Sequence, residues 1–132
     1  MSTATVGIVL VSHSAELAEG AANLAAQVSG GTVTVVAAGG TDDGRLGTSA
    51  AKVERALRQA DHGAGVMVLP DLGSAVLVVK AVLEDFSDPG SVLLADGPFV
   101  EGAVAATVTA AAGGDLKAVA AAAEEARHAR KL

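Results

Sequence analysis

Residues 6–14, Val6-Gly7-Ile8-Val9-Leu10-Val11-Ser12-His13-Ser14, run from an apolar segment straight into the start of a helical pattern. The apolar character of 6–11 is nearly continuous rather than alternating. That pattern describes a strand covered on both faces, as in a parallel sheet. Three further runs of the same kind lie at about 32–37, 65–69 and 91–95. Helical stripes separate them. Leu17, Ala21, Leu24, Ala25 and Val28 share one helix face, with Glu16, Glu19 and Gln27 elsewhere on the cylinder. Val53, Ala56, Leu57 and Ala60 repeat the pattern after the cap candidates Thr48 and Ser49. Ser74 is placed to cap a third helix carrying Val78, Val79, Val82 and Leu83. Val104–Ala112 and Leu116–Ala129 read as two more helices, split by Gly113-Gly114 and restarted by Asp115 as N-cap. Arg127, Arg130 and Lys131 fall where a helix C-terminus favours cations.

The order is β-α-β-α-β-α-β-α-α. Strands alternating with helices imply right-handed crossovers and a parallel sheet with helices on both faces. The expected fold is therefore α/β, a three-layer α/β/α arrangement on a four-stranded parallel sheet of order 2-1-3-4. A chain of 132 residues fits one domain, 1–132.

Composition narrows the function classes. Hydrophobic residues make up 51% of the chain but aromatics only 2%, so the core is built from Val, Leu and Ala. Cysteine is absent, which removes disulfide and thiolate chemistry. The net charge of −6 argues against nucleic-acid binding, which needs a basic surface. No run of about 20 apolar residues suggests a membrane span, and the N-terminus lacks the basic segment of a signal peptide. A cytoplasmic protein is expected.

In a sheet of this kind the site lies beyond the carboxyl ends of the strands, at the switch point. For order 2-1-3-4 that point falls between strands 1 and 3. Strand 1 leaves through Ser12-His13-Ser14 and strand 3 through Pro70-Asp71-Leu72-Gly73-Ser74. The topology thus brings His13 and Asp71 together. Asp71 can accept a proton from one imidazole nitrogen, fix the tautomer and leave the other nitrogen free to attack phosphorus. The helix start at Ser14, together with N–H groups of Gly39-Gly40 or Gly73-Ser74, can hold phosphoryl oxygens. Asp42-Asp43 reads as a solvated loop rather than a metal site. His62 reads as a cap or a solvent-facing side chain, and His128 as exposed. The first βα turn lacks G-x-G-x-x-G, and Gly47-Thr48-Ser49 lacks a P-loop lysine. Acidic residues that could hold magnesium after strand 1 are missing, which disfavours a phospho-acceptor receiver domain. A G-x-S-x-G nucleophile elbow is also missing.

Val9-Leu10-Val11-Ser12-His13-Ser14-Ala15-Glu16-Leu17-Ala18-Glu19-Gly20 resembles the opening of mannose-type enzyme IIA domains of the phosphoenolpyruvate-dependent sugar phosphotransferase system. The run Gly39-Gly40-Thr41-Asp42-Asp43-Gly44-Arg45-Leu46-Gly47-Thr48-Ser49 is similar to the branch that serves as phosphotransferase subunit (subunit M) of phosphoenolpyruvate-dependent dihydroxyacetone kinases. Asp71-Leu72-Gly73-Ser74-Ala75 and Pro98-Phe99-Val100-Glu101-Gly102-Ala103 resemble later signatures of that branch. The resemblance implies a homodimer whose His13 takes a phosphoryl group through Nε2 from the histidine-containing phosphocarrier protein. It implies onward transfer to ADP bound in the kinase's ADP-binding subunit, with Asp71 as the histidine-orienting carboxylate. No cofactor or metal is implied. The other readings are a sugar-transport component with the same chemistry and a non-catalytic regulatory module.

Overall fold

The computed structural model describes residues 4–86 and 88–132. Strand β1 (Gly7–Ser12) leads to helix α1 (Ala15–Val28), β2 (Val35–Gly39), α2 (Ala50–Ala60), β3 (Val66–Pro70) and α3 (Gly73–Glu84). A 3₁₀ turn (Pro89–Ser91) then precedes β4 (Val92–Leu94), α4 (Phe99–Ala111), α5 (Leu116–Glu125) and a final 3₁₀ turn (Ala126–His128). The strands form one parallel sheet in the order β2-β1-β3-β4. The α/β class and the 2-1-3-4 order expected from the sequence both hold.

Every residue of β1 is buried, which explains its continuous apolar character. Side chains alternate between the two faces of the sheet. Ile8, Leu10, Met67 and Leu69 point into a layer built with α1, α4 and α5. Val9, Val11, Val66 and Val68 point into a second layer built with α2 and α3. Burying each such aliphatic side chain contributes roughly 1.5–3 kcal/mol, so β1, committed on both faces, is firmly anchored, as is its neighbour β3. Its last residues are therefore held firmly where they leave the sheet. Among the described residues, no helix is long and apolar enough to cross a membrane.

The structure departs from the sequence reading in several places. In α1 the buried arc is Ala18, Ala21, Ala22 and Ala25, while Leu17, Leu24 and Val28 face outward. Alanines let the helix lie close to the sheet, so the helix turns its small side chains inward and its large ones out. Ser49, not Thr48, caps α2, accepting from the Lys52 N–H at 3.1 Å. Ser74 does not cap α3. Leu72 holds the cap position, and Ser74 sits inside the first turn with its hydroxyl committed elsewhere. Helix α4 begins at Phe99, five residues before the expected Val104, because Pro98 supplies an extended residue immediately ahead of it. Helix α5 tightens into a 3₁₀ turn after Glu125 instead of running to Ala129. Asp115 caps α5 as expected, accepting from the Ala118 N–H at 2.9 Å.

Candidate active site

Strand β1 delivers Ser12 and His13 to the carboxyl edge of the sheet, and neighbouring β3 delivers Asp71 beside them. The Asp71 N–H donates to the Val11 carbonyl at 2.9 Å, extending the β1–β3 ladder by one step. The Asp71 carboxylate then accepts four hydrogen bonds. Its Oδ1 takes the His13 Nδ1–H at 3.0 Å and the Leu72 N–H at 2.7 Å. Its Oδ2 takes the Ser12 hydroxyl at 2.8 Å and the His13 N–H at 3.0 Å. Ser12 is fully buried, and its Oγ also accepts the Ser14 N–H at 3.0 Å.

These contacts assign the imidazole. A carboxylate only accepts, so His13 Nδ1 carries the proton and Nε2 holds a lone pair. The Ser74 hydroxyl donates to that lone pair at 2.5 Å. The His13 side chain remains 24% exposed while that of Asp71 is 9% exposed. The imidazole is thus open to solvent while its carboxylate partner is shielded. Partial burial pushes the Asp71 carboxyl pKa up. The hydrogen bonds from His13, Ser12, the His13 backbone and Leu72 outweigh that effect and hold it below the ordinary value of 3.8.

His13, Asp71 and Ser74 meet in one cluster. Gly73 and Ser74 occupy the first two positions of α3, where helix geometry leaves N–H groups without intrahelical acceptors. Ser14 caps α1, its Oγ accepting the Leu17 N–H at 3.2 Å. Gly39 and Gly40 lie against the start of α1 and have a packing role. A Cβ on Gly39 would stand 2.6 Å from the Ser14 carbonyl oxygen and 2.7 Å from the Ala15 Cα. Gly40 takes φ 74°, and its N–H donates to the Ser12 carbonyl at 3.1 Å. The Gly40 amide is therefore already engaged, a correction to its reading as a phosphate donor. Sequence reasoning missed Ser12. The signal was a hydroxyl ending an otherwise apolar buried strand, where it needs a partner.

The loop after β2 bonds mostly to itself. The Thr41 hydroxyl donates to Asp43 at 2.5 Å, Arg45 pairs with Asp43 at 3.1 Å, and the Ser49 hydroxyl donates to Asp42 at 2.5 Å. It ties to the site through the Gly47 N–H, which donates to the His13 carbonyl at 2.9 Å. Among the described residues no group of three His, Cys, Asp or Glu side chains is placed to hold a metal. His62 is exposed and bonds to Thr34. His128 lies in the exposed C-terminal turn.

An imidazole held in one tautomer by Asp71 thus stands at the carboxyl edge of a 2-1-3-4 sheet. Residues 7–120 match the family model EIIA-man, described as the PTS system fructose IIA component. The chain belongs to this family. It is 36% identical over 105 residues to the phosphoryl donor subunit DhaM of PEP-dependent dihydroxyacetone kinase 2 from Listeria innocua, covering 78% of this chain and 84% of that protein. It is 39% identical over 119 residues to the phosphoryl donor subunit DhaM of the PEP-dependent dihydroxyacetone kinase from Escherichia coli strain K12, covering 86% of this chain and 25% of that protein. The chain thus spans most of the Listeria relative and a quarter of the Escherichia one. The solved structure of the unknown function protein EF1359 superposes with a TM-score of 0.82 at 33% identity, over 97% of each chain.

Two outcomes follow from the geometry. Because the native Asp71 pKa lies below its unfolded value, its stabilisation is fully present above that unfolded value, about 3.9. It is lost as pH falls through the lower native pKa. Asp71→Asn should cost about 1–3 kcal/mol at pH 7, and urea titrations should show its deficit shrinking as pH falls from 5 to below 3. Gly39→Ala should be destabilised by at least about 1–3 kcal/mol, since the clash is with backbone and cannot be relieved by a side-chain shift. The His13 ring resonances should move in that variant. Wild-type stability and an unmoved ring would contradict the packing role.

Proposed function

We propose that the chain is a phosphohistidine relay of the phosphotransferase system serving a dihydroxyacetone kinase. The observation that carries this reading is the orientation of His13, with Nδ1 held by Asp71 and Nε2 unprotonated and facing outward. The phosphoryl group comes from the histidine-containing phosphocarrier protein. His13 Nε2 forms a bond to phosphorus as the donor's N–P bond breaks, and the donor imidazole leaves with the electron pair. The His13 ring keeps its Nδ1 proton and becomes cationic, and Asp71 offsets that charge. In the second step a terminal oxygen of ADP, bound in the kinase's ADP-binding subunit, forms a bond to phosphorus as the Nε2–P bond breaks; the electron pair returns to Nε2, the ring becomes neutral again and ADP becomes ATP. Such transfer rests on positioning and charge stabilisation rather than on elaborate covalent machinery.

For the phosphoryl oxygens we assign the Gly73 and Ser74 N–H groups, the Ser74 hydroxyl and the hydroxyl hydrogen of Ser14. Ser74 donates to Nε2 in the resting state and turns to a phosphoryl oxygen once phosphorus occupies that place. Gly39 and Gly40 serve this site by letting α1 begin close to the strand ends. The names of the relatives support the kinase branch, and partners of this kind favour a cytoplasmic setting. A homodimer is supported by Leu17, Leu24 and Val28, a large apolar stripe left exposed along α1, which a second copy can cover.

Incubation with phosphoenolpyruvate, enzyme I and the phosphocarrier protein should give an acid-labile, base-stable adduct on the wild type and none on His13→Ala. Asp71→Asn should slow transfer by at least about tenfold, equivalent to roughly 1.4 kcal/mol of lost charge stabilisation. An adduct on His13→Ala would end the relay reading. In sedimentation equilibrium the wild type should run as a dimer and Leu24→Glu as a monomer; a monomeric wild type would remove the dimer.

A further inference from the structure

The peptide that joins Gly39 to Gly40 is held at both ends. Its N–H, on Gly40, donates to the Ser12 carbonyl at 3.1 Å. Its carbonyl, on Gly39, points the opposite way, as in any trans peptide. β2 is an edge strand, so among the described residues no fifth strand offers that carbonyl an N–H. Lys52 fills the place: its Nζ donates to the Gly39 carbonyl at 2.9 Å. Helix chemistry alone does not explain a lysine there. Lys52 is the third residue of α2, and its N–H donates to the cap Ser49 at 3.1 Å. A capping box would put Glu or Gln at that position, and a cation in the first turn opposes the helix dipole. A local rule is broken, and the contact with Gly39 is what the break achieves.

The same peptide touches the chain on both sides of His13. Ahead of His13 it binds the Ser12 carbonyl. Behind His13, Gly39 lies so close to the start of α1 that a Cβ would stand 2.6 Å from the Ser14 carbonyl oxygen and 2.7 Å from the Ala15 Cα. We propose that Lys52 is a positioning residue for phosphoryl transfer at His13, an inference that rests on the relay reading. Its ammonium fixes the Gly39-Gly40 peptide against Ser12 and Ser14-Ala15, and so sets where the imidazole stands. A cation on the carbonyl also polarises the peptide and strengthens the Gly40 N–H bond to Ser12. Lys52 acts through this backbone and has no need to touch phosphorus. In-line attack tolerates little displacement of the nucleophile. Freeing the peptide therefore slows the chemical step and leaves the encounter with a donor unchanged. A hollow of about 240 Å³ beside Lys52, lined also by Ala15, Glu19 and Arg55, gives a longer cation at position 52 room to reach the same carbonyl.

The test uses the full chain and two phosphoryl donors, phosphoramidate and the phosphorylated carrier protein. Lys52→Met keeps the stem of the lysine and removes its ammonium. Lys52→Gln is one atom shorter and uncharged, yet supplies a capping-box residue that supports the start of α2. Arg55→Met removes an equal charge from the same helix and leaves Gly39 bonded. With phosphoramidate, Lys52→Met and Lys52→Gln should be phosphorylated on His13 about tenfold more slowly than the wild type. With the carrier protein their kcat should fall likewise while KM stays within about twofold. Lys52→Arg should recover the rate to within about threefold, and Arg55→Met should keep the wild-type rate. The Gly40 amide proton should move upfield in the Met and Gln variants at position 52, reporting a weaker bond to Ser12, and stay in place in Arg55→Met. If the wild type accepts phosphate from neither donor, the relay reading falls and this role of Lys52 with it. If the wild type is phosphorylated and Lys52→Gln matches its rate, Lys52 positions nothing while the relay stands. An equal loss in Arg55→Met, or an unmoved Gly40 amide, would also overturn the proposal, since the effect would then come from charge or helix stability alone.

Discussion

The Asp71 carboxylate holds together the carboxyl ends of the two central strands. It collects the Ser12 hydroxyl, the His13 N–H, the His13 Nδ1–H and the Leu72 N–H on two oxygens. Those donors come from the exits of the two central strands, so one side chain locks β1 to β3 where both leave the sheet. The same contacts set the imidazole tautomer and keep the carboxyl ionised below its ordinary pKa. Position, proton and charge are controlled by a single group. A charged side chain so nearly buried is tolerated because its hydrogen-bonding capacity is filled.

The rest of the fold supports that lock. β1 is apolar on both faces and cannot slip without exposing one of them. Alanines on α1 bring that helix down onto the sheet, and Gly39 and Gly40 let its first turn approach the strand ends. Ser12 bonds to both Asp71 and the Ser14 N–H, so the strand end, the carboxylate and the helix cap form one connected unit. The geometry of this cluster is thus a consequence of backbone packing several residues away.

Much of this is legible in the residues. Four apolar runs separated by helical stripes imply a parallel sheet, and the switch-point rule alone pairs His13 with Asp71. What escapes a sequence reading is whatever depends on side-chain competition in three dimensions. Ser74 has the chemistry of a helix cap, yet it falls inside the first turn with its hydroxyl on His13 Nε2, and Leu72 takes the cap position. Leu17, Leu24 and Val28 carry the larger apolar surface, yet close packing favours the alanine face. The start of α4 is hidden because the residue at its cap position is Pro98, which has no side-chain cap bond to offer. Ser12 reads as the tail of a strand until Asp71 is seen beside it.

The most direct test of this account is the tautomer of His13. Long-range nitrogen–proton correlation spectra of the uniformly ¹⁵N-labelled protein at neutral pH distinguish a protonated Nδ1 from a protonated Nε2. The account predicts a neutral ring protonated on Nδ1, with a free Nε2, and loss of that preference in Asp71→Asn. A ring protonated on Nε2 in the wild type would leave that nitrogen without a lone pair for phosphorus and contradict the account.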